Sequence, residues 1–330
     1  MKFMNMKHIK ITINQDILLR LSKKIFCFYF FCCFSNITIA QQLPQMTQYM
    51  INNYAVNPAV AGMYDYYQVK TNIRNQWVGI TDAPITTILS VYGKRSEHVG
   101  LGGMVFNDQV GHTSRNGASL SYAYHFSLAK EVKMSLALSG GFVQLKIDKL
   151  GWNLQNPDDP LVQGDMIVDA VPDATFGLNV YGKNWYIGAS VPQLLSTNLD
   201  LLDPDFTRNY TAITTSEGSL ERHLFVLGSY NHSFNPYWAV EPTFFFKSVS
   251  ADNQFDFGLK TIYNDKLWFG LDYRSNGDLG ALLGYSIQER FEIGYSYDII
   301  SSDLNGYSQG SHEFMLGIKF KAAEENDILR

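Results

Sequence analysis

Seven histidines, with serines and acids nearby, are the residues of this chain that could perform acid–base or nucleophilic chemistry. A hydrolytic triad brings together a serine, a histidine and a carboxylate, with the serine in a recognisable nucleophile context. We identify no serine in such a context. His98 falls in a predicted tight turn and His125 on a predicted inner strand face. The others fall in predicted loops, at strand ends or in the leader described below: His8, His112, His223, His232 and His312.

No other motif predicts catalysis, a metal or a cofactor. The run Gly100-Leu101-Gly102-Gly103 resembles a phosphate cradle only superficially, because it lies mid-strand with no helix after it, and it predicts close backbone packing. The acid pairs Asp158-Asp159 and Glu324-Glu325 are typical of solvated charge in a loop and a tail. The sequence therefore predicts no catalytic, metal-binding or cofactor-binding residue and indicates that the protein is not an enzyme.

The first 40 residues have the order of a secretory signal peptide. Six basic residues and one acid precede or flank an apolar block at 25–34, and Thr38-Ile39-Ala40 offers a cleavage site. The alternative is an uncleaved anchor, although a spanning helix needs about 20 apolar residues. All three cysteines lie in this leader, so the mature chain from Gln41 has no thiol for a disulfide or a metal. The formal charge of that mature chain is −10, which argues against nucleic acid as a partner.

The composition is rich in aromatic residues and glycine and poor in charge. The chain has 20 Tyr, 22 Phe and 26 Gly, whereas charged residues make up 17%. No apolar run after the leader is long enough to span a bilayer as a helix. This combination is typical of a β-barrel with an apolar outer face and a polar inner face, but a large soluble β-sandwich has a similar composition.

A hydrophobic period of two predicts strands with one apolar and one polar face. At 118–126 one face carries Ala, Leu, Tyr, Tyr and Phe, and the other carries Ser, Ser, Ala and His. The segment 291–299 repeats this pattern. Twelve further segments bring the predicted number of strands to fourteen: 67–73, 85–91, 99–105, 132–138, 176–180, 185–191, 224–230, 238–246, 255–263, 267–273, 279–287 and 314–320.

The predicted links alternate between tight turns and longer loops, as do the periplasmic turns and extracellular loops of outer-membrane barrels. The tight turns fall at 95–98, 127–131, 182–184, 233–236, 264–266 and 288–290. The longer loops fall at 76–84, 107–115, 148–172, 192–221, 248–253, 275–278 and 301–310. A soluble sandwich has no reason to sort its loops by side. The pattern therefore favours a closed antiparallel transmembrane β-barrel of about 14 strands, with both ends of the mature chain in the periplasm.

Short motifs then occur in a fixed order. The first two are Gln45-Met46-Thr47-Gln48-Tyr49-Met50 and Asn57-Pro58-Ala59-Val60-Ala61-Gly62. The later ones lie at 74–79, 83–86, 100–102, 107–108, 111, 191–195, 222–223, 273–275, 281–285, 293–298 and 310–316. Over some 270 residues this order resembles the PorP/SprF family of type IX secretion system outer-membrane proteins. One departure is the acidic tail, which continues past Phe320, where a barrel usually stops on an aromatic residue.

The resemblance implies an outer-membrane component of the type IX secretion system. Its implied partners are secreted cargo proteins with a C-terminal sorting domain, including adhesins of gliding bacteria, together with periplasmic motor or ring components and outer-membrane lipid. Such a role leads us to expect that the loops 148–172 and 192–221 bind cargo and anchor it at the cell surface. The segment 41–64 would contact periplasmic partners or line the lumen.

Seven residues are candidates for partner binding or for a polar network in the lumen: Arg74, Trp77, Asn107, Asp108, Arg274, His312 and Glu313. For Arg74, Asp108, Arg274 and Glu313 we expect an internal network that braces the barrel, because polar residues facing a lumen tend to pair. Trp77 fits an interfacial aromatic belt equally well.

The rival function is a diffusion channel, porin-like or substrate-selective, since fourteen strands can enclose an open lumen unless something plugs it. An outer-membrane hydrolase is a third alternative. The predicted organisation is a signal peptide at 1–40, an N-terminal periplasmic or luminal segment at 41–64, the barrel at 65–320 and an acidic tail at 321–330.

Overall fold

The computed structural model describes residues 43–150, 166–199, 218–250 and 252–321. The predicted signal peptide, both acid pairs and almost all of the acidic tail lie outside these residues. Within them, no helix is long and apolar enough to cross a membrane.

Fourteen strands form the wall of the structure. In chain order, β1 to β14 are Tyr66–Asn75, Ile85–Lys94, Val99–Val110, Thr113–Ala129, Val132–Asp148, Met166–Tyr181, Trp185–Val191, His223–Tyr230, Trp238–Val249, Asp252–Tyr263, Leu267–Arg274, Leu279–Ile287, Phe291–Ile299 and Ser311–Lys321. Two-residue strands lie in the links, Asn198–Leu199 paired with Gly218–Ser219, and His232–Ser233 beside β9. The short 3-10 turns are Gln48–Met50, Asn53–Ala55, Pro58–Val60 and Asp303–Gly306.

The wall closes on itself. Each strand pairs antiparallel with the next one in the chain, and β1 pairs with β14 from Tyr66 opposite Lys321 to Asn75 opposite His312. We call this last pairing the seam. The structure therefore confirms the prediction of a closed fourteen-stranded antiparallel barrel.

Side chains alternate between the two faces of the wall. In β12, for example, Leu279, Leu283 and Tyr285 are about half exposed, whereas Leu282 and Ser286 are buried. Outward residues are predominantly aliphatic or aromatic, as contact with lipid requires, and inward residues include most of the buried polar groups.

The links differ between the two ends of the barrel. Six short turns lie at one end, the turn end: 95–98, 130–131, 182–184, 231–237, 264–266 and 288–290. The other end, the loop end, carries the links 76–84, 111–112, 149–165, 192–222, 250–251, 275–278 and 300–310. The structure corrects the prediction at two of these links. The expected loops 107–115 and 248–253 are instead two-residue connections between longer strands.

Strands β4, β5 and β6 are the longest, with 17, 17 and 16 residues, and they extend the wall at the loop end. There Val143, Leu145 and Val171 face inward and pack with Leu199 and Leu220 from the link 192–222. The described ends of this link therefore form an apolar cap on the inner face of these strands.

Candidate functional site in the barrel lumen

Residues 43–64, which we call the plug, lie inside the barrel, where fifteen of the 22 are buried and none is exposed. The plug crosses the lumen from one end to the other. Its Leu43 amide donates to Nε2 of His223, the first residue of β8 at the loop end (3.3 Å). Next to its other end, Asp65 pairs with Lys94, the last residue of β2 before a short turn (2.5 Å). The sequence predicted both chain ends at the turn end, whereas the structure places Leu43 at the loop end.

The second half of the plug, the motif at 57–62, is held by backbone contacts. Asn57 caps the 3-10 turn Pro58–Val60, because its Oδ1 accepts from the Ala59 amide (3.0 Å). Its Nδ2 donates to the Leu178 carbonyl of β6 (2.9 Å). The Ser135 hydroxyl of β5 donates to the Ala59 carbonyl (2.6 Å). Proline and small residues give this motif a compact, irregular shape that fits against the wall.

The plug backbone touches the wall most closely at the glycine run of β3. A Cβ atom on Gly100 would lie 1.9 Å from the Ala61 carbonyl oxygen, and one on Gly62, whose φ is +87°, would lie 2.7 Å from the Gly100 Cα. His125 Nε2 hydrogen-bonds the same Ala61 carbonyl (2.7 Å). Close backbone packing is the role that the sequence predicted for this run.

Substitution at Gly100 tests this fit. We expect Gly100→Val to displace the plug and to lower the free energy of unfolding by roughly 1–3 kcal/mol, because the side chain has no space. Gly140 on the lipid-facing side is the control, since a Cβ there meets nothing within 4 Å. We expect Gly140→Ala to stay within about 0.5 kcal/mol of wild type in urea unfolding. Equal stability of the two variants would contradict the tight fit.

The first half of the plug, the motif at 45–50, binds a buried group of charges in the loop-end half of the lumen. This arginine cluster consists of Arg74, Arg274, Asp256, Asp272, Asp298 and Glu313. Arg74 lies 2.6 Å from Asp298 and 3.5 Å from Glu313, and Arg274 lies 3.2 Å from Asp298 and 3.5 Å from Asp272. The side chains of these residues are at most 3% exposed.

Thr47 lies at the centre of the arginine cluster. Its hydroxyl donates to Asp298 (2.8 Å) and accepts from Arg74 (3.1 Å) and from Arg274. Its amide donates to Glu313 Oε2 (2.7 Å). One plug residue therefore contacts side chains from β1, β11, β13 and β14.

Tyr49 adds a further contact between the plug and the cluster. Its hydroxyl donates to Asp272 Oδ1 (2.8 Å). Burial and the negative charges of Asp272 and Asp256 raise the pKa of Tyr49 far above its usual value. The phenol therefore keeps its proton at any physiological pH and remains a donor to the carboxylate.

Two cavities lie on opposite sides of the plug. The outer cavity, toward the loop end, is walled by Phe106, Phe225 and Phe245. The plug contributes Met46, Tyr49 and Tyr54 to the lining of the outer cavity. To the lining of the cavity toward the turn end it contributes Met50, Ile51 and Asn53. The plug thus forms a partition between the two halves of the lumen.

Four of the seven predicted site residues face the lumen, and three of these four meet in one place. Arg74, Arg274 and Glu313 meet in the arginine cluster. Asp108 also faces the lumen but lies apart from them, where it accepts from Thr86 Oγ1 (2.6 Å) opposite Arg115.

Three of the predicted site residues do not point into the lumen. Asn107 faces outward and donates to Asn116 (2.7 Å). His312 also faces outward, with Nδ1 2.7 Å from the Tyr295 hydroxyl. Trp77 lies in the link after β1 with a φ of +53°.

The prediction missed Asp256, Asp272 and Asp298 as members of the site. Each stands between two lipid-facing apolar residues on a predicted strand, as in Phe255-Asp256-Phe257, and so had to face the lumen. It also passed over one Gly-x-Ser-x-Gly string, at 306–310. Its Ser308 hydroxyl accepts from the Gly310 amide (3.0 Å) in a link with no helix after it, which is not a nucleophile elbow. Within the described ranges, no group of three or more His, Cys, Asp or Glu is arranged to hold a metal ion.

Comparison with known proteins gives one family. The model for "Type IX secretion system membrane protein PorP/SprF" matches residues 38–318. The search of curated proteins gives no match.

Solved structures with a similar shape are distant. The Ralstonia pickettii toluene transporter TbuX has 13% identity and a TM-score of 0.46, over 80% of this chain and 92% of that one. The CymD monoaromatic hydrocarbon channel has 11% identity and a TM-score of 0.46, over 85% and 94%. The KdgM porin has 8% identity and a TM-score of 0.37, over 77% and 99%.

Proposed function

The chain belongs to the PorP/SprF family of type IX secretion system membrane proteins, as the motif order predicted, and we propose from this premise that it anchors secreted cargo at the cell surface. In this proposal the leader is cleaved, and the barrel sits in the outer membrane with its loop end outside and its turn end in the periplasm. The cargo carries a C-terminal sorting domain, as adhesins of gliding bacteria do. Periplasmic components of the secretion system contact the turn end.

The plugged lumen is the observation that carries this proposal. A diffusion channel needs a continuous aqueous path, but here the plug separates the outer cavity from the cavity at the turn end. The plug is held by hydrogen bonds from Thr47 to the buried ion pairs of the arginine cluster and by contacts of its own backbone with the wall. A closed, braced barrel suits an anchor, which must stay in the membrane under load while its ends bind partners.

The loop end offers the surface for cargo. The long links 149–165 and 192–222 connect β5 to β6 and β7 to β8, beside the extended strands β4 to β6. Two short strands of the second link, Asn198–Leu199 and Gly218–Ser219, pair with each other. We call this pair the base of the link. This base allows the link to be shortened without disturbing the wall.

Shortening this link tests the proposal. We expect that replacing residues 200–217 by Asn-Gly, a sequence that closes a two-residue hairpin, leaves the barrel folded and releases cargo into the medium. The control replaces Gly111-His112, a two-residue connection at the same end, by Asn-Gly and should retain cargo. The measurement is the cargo on intact cells relative to that in the medium. Full retention by the shortened variant would argue against cargo binding by this link.

A further inference from the structure

A second polar site lies in the cavity at the turn end, which we call the vestibule. Its lining includes Lys70, Lys319 and Glu292 near the seam, and Lys260 and Glu241 on the opposite wall. Asp265 in the exposed turn 264–266 lies at its rim, so the vestibule opens on the side of the short turns.

The vestibule walls carry three ammonium groups and two carboxylates, while the third carboxylate of the lining, Asp265, is exposed to solvent at the rim. Glu241 is fully engaged by Lys260 (3.1 Å), Ser229 (3.0 Å) and Asn231 (3.4 Å). Glu292 pairs with Lys319 (2.6 Å) and more distantly with Lys70 (3.7 Å). The Lys70 ammonium also donates to the Ile51 carbonyl of the plug (2.5 Å). Two carboxylates thus share three ammonium groups, and the walls favour an additional negative charge.

Several polar atoms of the vestibule also lack partners among the described residues. Gln68 is 1% exposed, and its Nε2 has no hydrogen bond. The Tyr186 hydroxyl is buried beside Asn53 and donates no hydrogen bond. On the acceptor side, Asn53 Oδ1 has no hydrogen-bond donor, and the nearest cation to Glu292 Oε2 is the distant Lys70 ammonium (3.7 Å). Buried polar groups are normally paired, so unpaired ones on the wall of one open cavity indicate a ligand that supplies both an acceptor and donors.

We propose that the vestibule binds the carboxylate of a polypeptide that enters from the turn end, either a C-terminus or an acidic side chain. The carboxylate accepts from Gln68 and Tyr186 and balances the third ammonium group. The backbone amides beside it donate to Asn53 and Glu292. The partly exposed side chains Tyr66 and Ile262, which also line the vestibule, provide the contact surface for the rest of such a segment. This inference rests on the proposed function, because it gives a chemical form to the periplasmic contact.

The test uses the mature protein in detergent and measures binding by calorimetry. The probes are a six-residue peptide that ends in aspartate with a free carboxylate, the same peptide with its terminal and side-chain carboxylates amidated, and inorganic phosphate. We expect the free-acid peptide to bind at least about tenfold more tightly than the amidated one, as a charge-assisted contact requires. Equal binding of the two peptides, or no binding, would overturn the proposal. Binding of phosphate without the peptide would assign the site to a free anion and would also overturn it.

Tyr186→Phe is the decisive variant, because it removes a hydroxyl that donates no hydrogen bond to the wall and keeps the aromatic ring. We expect it to weaken binding of the free-acid peptide by about tenfold. Tyr92→Phe is the matched control, since the Tyr92 hydroxyl is likewise buried and unpaired but does not line the vestibule. Equal effects of the two changes would contradict the site. If a variant no longer binds the peptide but cargo stays on the cell surface, only the vestibule proposal is affected and the proposed function stands. If a variant binds the peptide but releases cargo whatever link it carries, only the proposed function is refuted.

Discussion

Deletion of residues 43–62 is expected to convert a closed barrel into a pore. The plug residues Met46, Tyr49 and Tyr54 line one cavity and Met50, Ile51 and Asn53 line the other, so removing them joins the two cavities into one aqueous path. In a planar bilayer, we expect wild type to show no steady current and the deletion variant to show a conductance at least about tenfold higher, because a fourteen-stranded wall encloses a wide lumen.

Two controls accompany this measurement. The electrophoretic mobility of unheated and heated samples shows whether the deletion variant still forms a closed barrel. A synthetic peptide of residues 43–62 added to the bilayer chamber should reduce the current, because the wall contacts that hold the plug remain in place. A steady current through wild type, equal to that of the variant, would mean that the protein is a channel and that the plug does not seal it.

Neutralising Arg274 is expected to have the largest effect on stability of any single change. Its side chain is 1% exposed and lies within 4.0 Å of Asp256, Asp272 and Asp298. Arg274→Leu leaves these buried carboxylates facing one another and also breaks the bond to Thr47. The loss of one partner from a buried ion pair costs about 3–5 kcal/mol, and we expect a decrease of this size in the free energy of unfolding.

An exposed ion pair provides the comparison. Lys94 and Asp65 are 2.5 Å apart, but the Asp65 side chain is 85% exposed. We expect Lys94→Met to cost less than about 1 kcal/mol, because water screens such pairs. Urea unfolding of both variants in lipid vesicles measures the difference. If Arg274→Leu proves no more costly than Lys94→Met, the arginine cluster does not hold the plug.

The strands were predictable wherever one face meets lipid and the other meets the lumen. In β13 the apolar and polar residues alternate from Phe291 to Ile299, and the predicted and observed bounds agree. The prediction ended β5 at residue 138, whereas the strand continues to Asp148. Beyond the lipid its polarity reverses, because Val143 and Leu145 face inward to the cap while Gln144 and Lys146 face outward. If apolar residues are always assigned to the lipid-facing side of the wall, such a segment is predicted to be a loop.

The site was predictable in part for a different physical reason. Charges such as Arg74, Arg274 and Glu313 on inward strand positions had to pair within the lumen, whatever lay beside them. Their partner in the plug could not be derived, because Thr47 contacts Asp298 and Glu313 across 251 and 266 residues of sequence. Nothing in the local pattern of a short polar motif indicates which distant strands surround it.

The contacts of Thr47 also bear on how the barrel is assembled. Arg74 on β1 and Glu313 on β14 face each other across the seam, and Thr47 bonds both of them. The arginine cluster is therefore complete only when the first and last strands have met around the N-terminal segment. The closed seam and the filled interior therefore share one set of hydrogen bonds, so each stabilises the other.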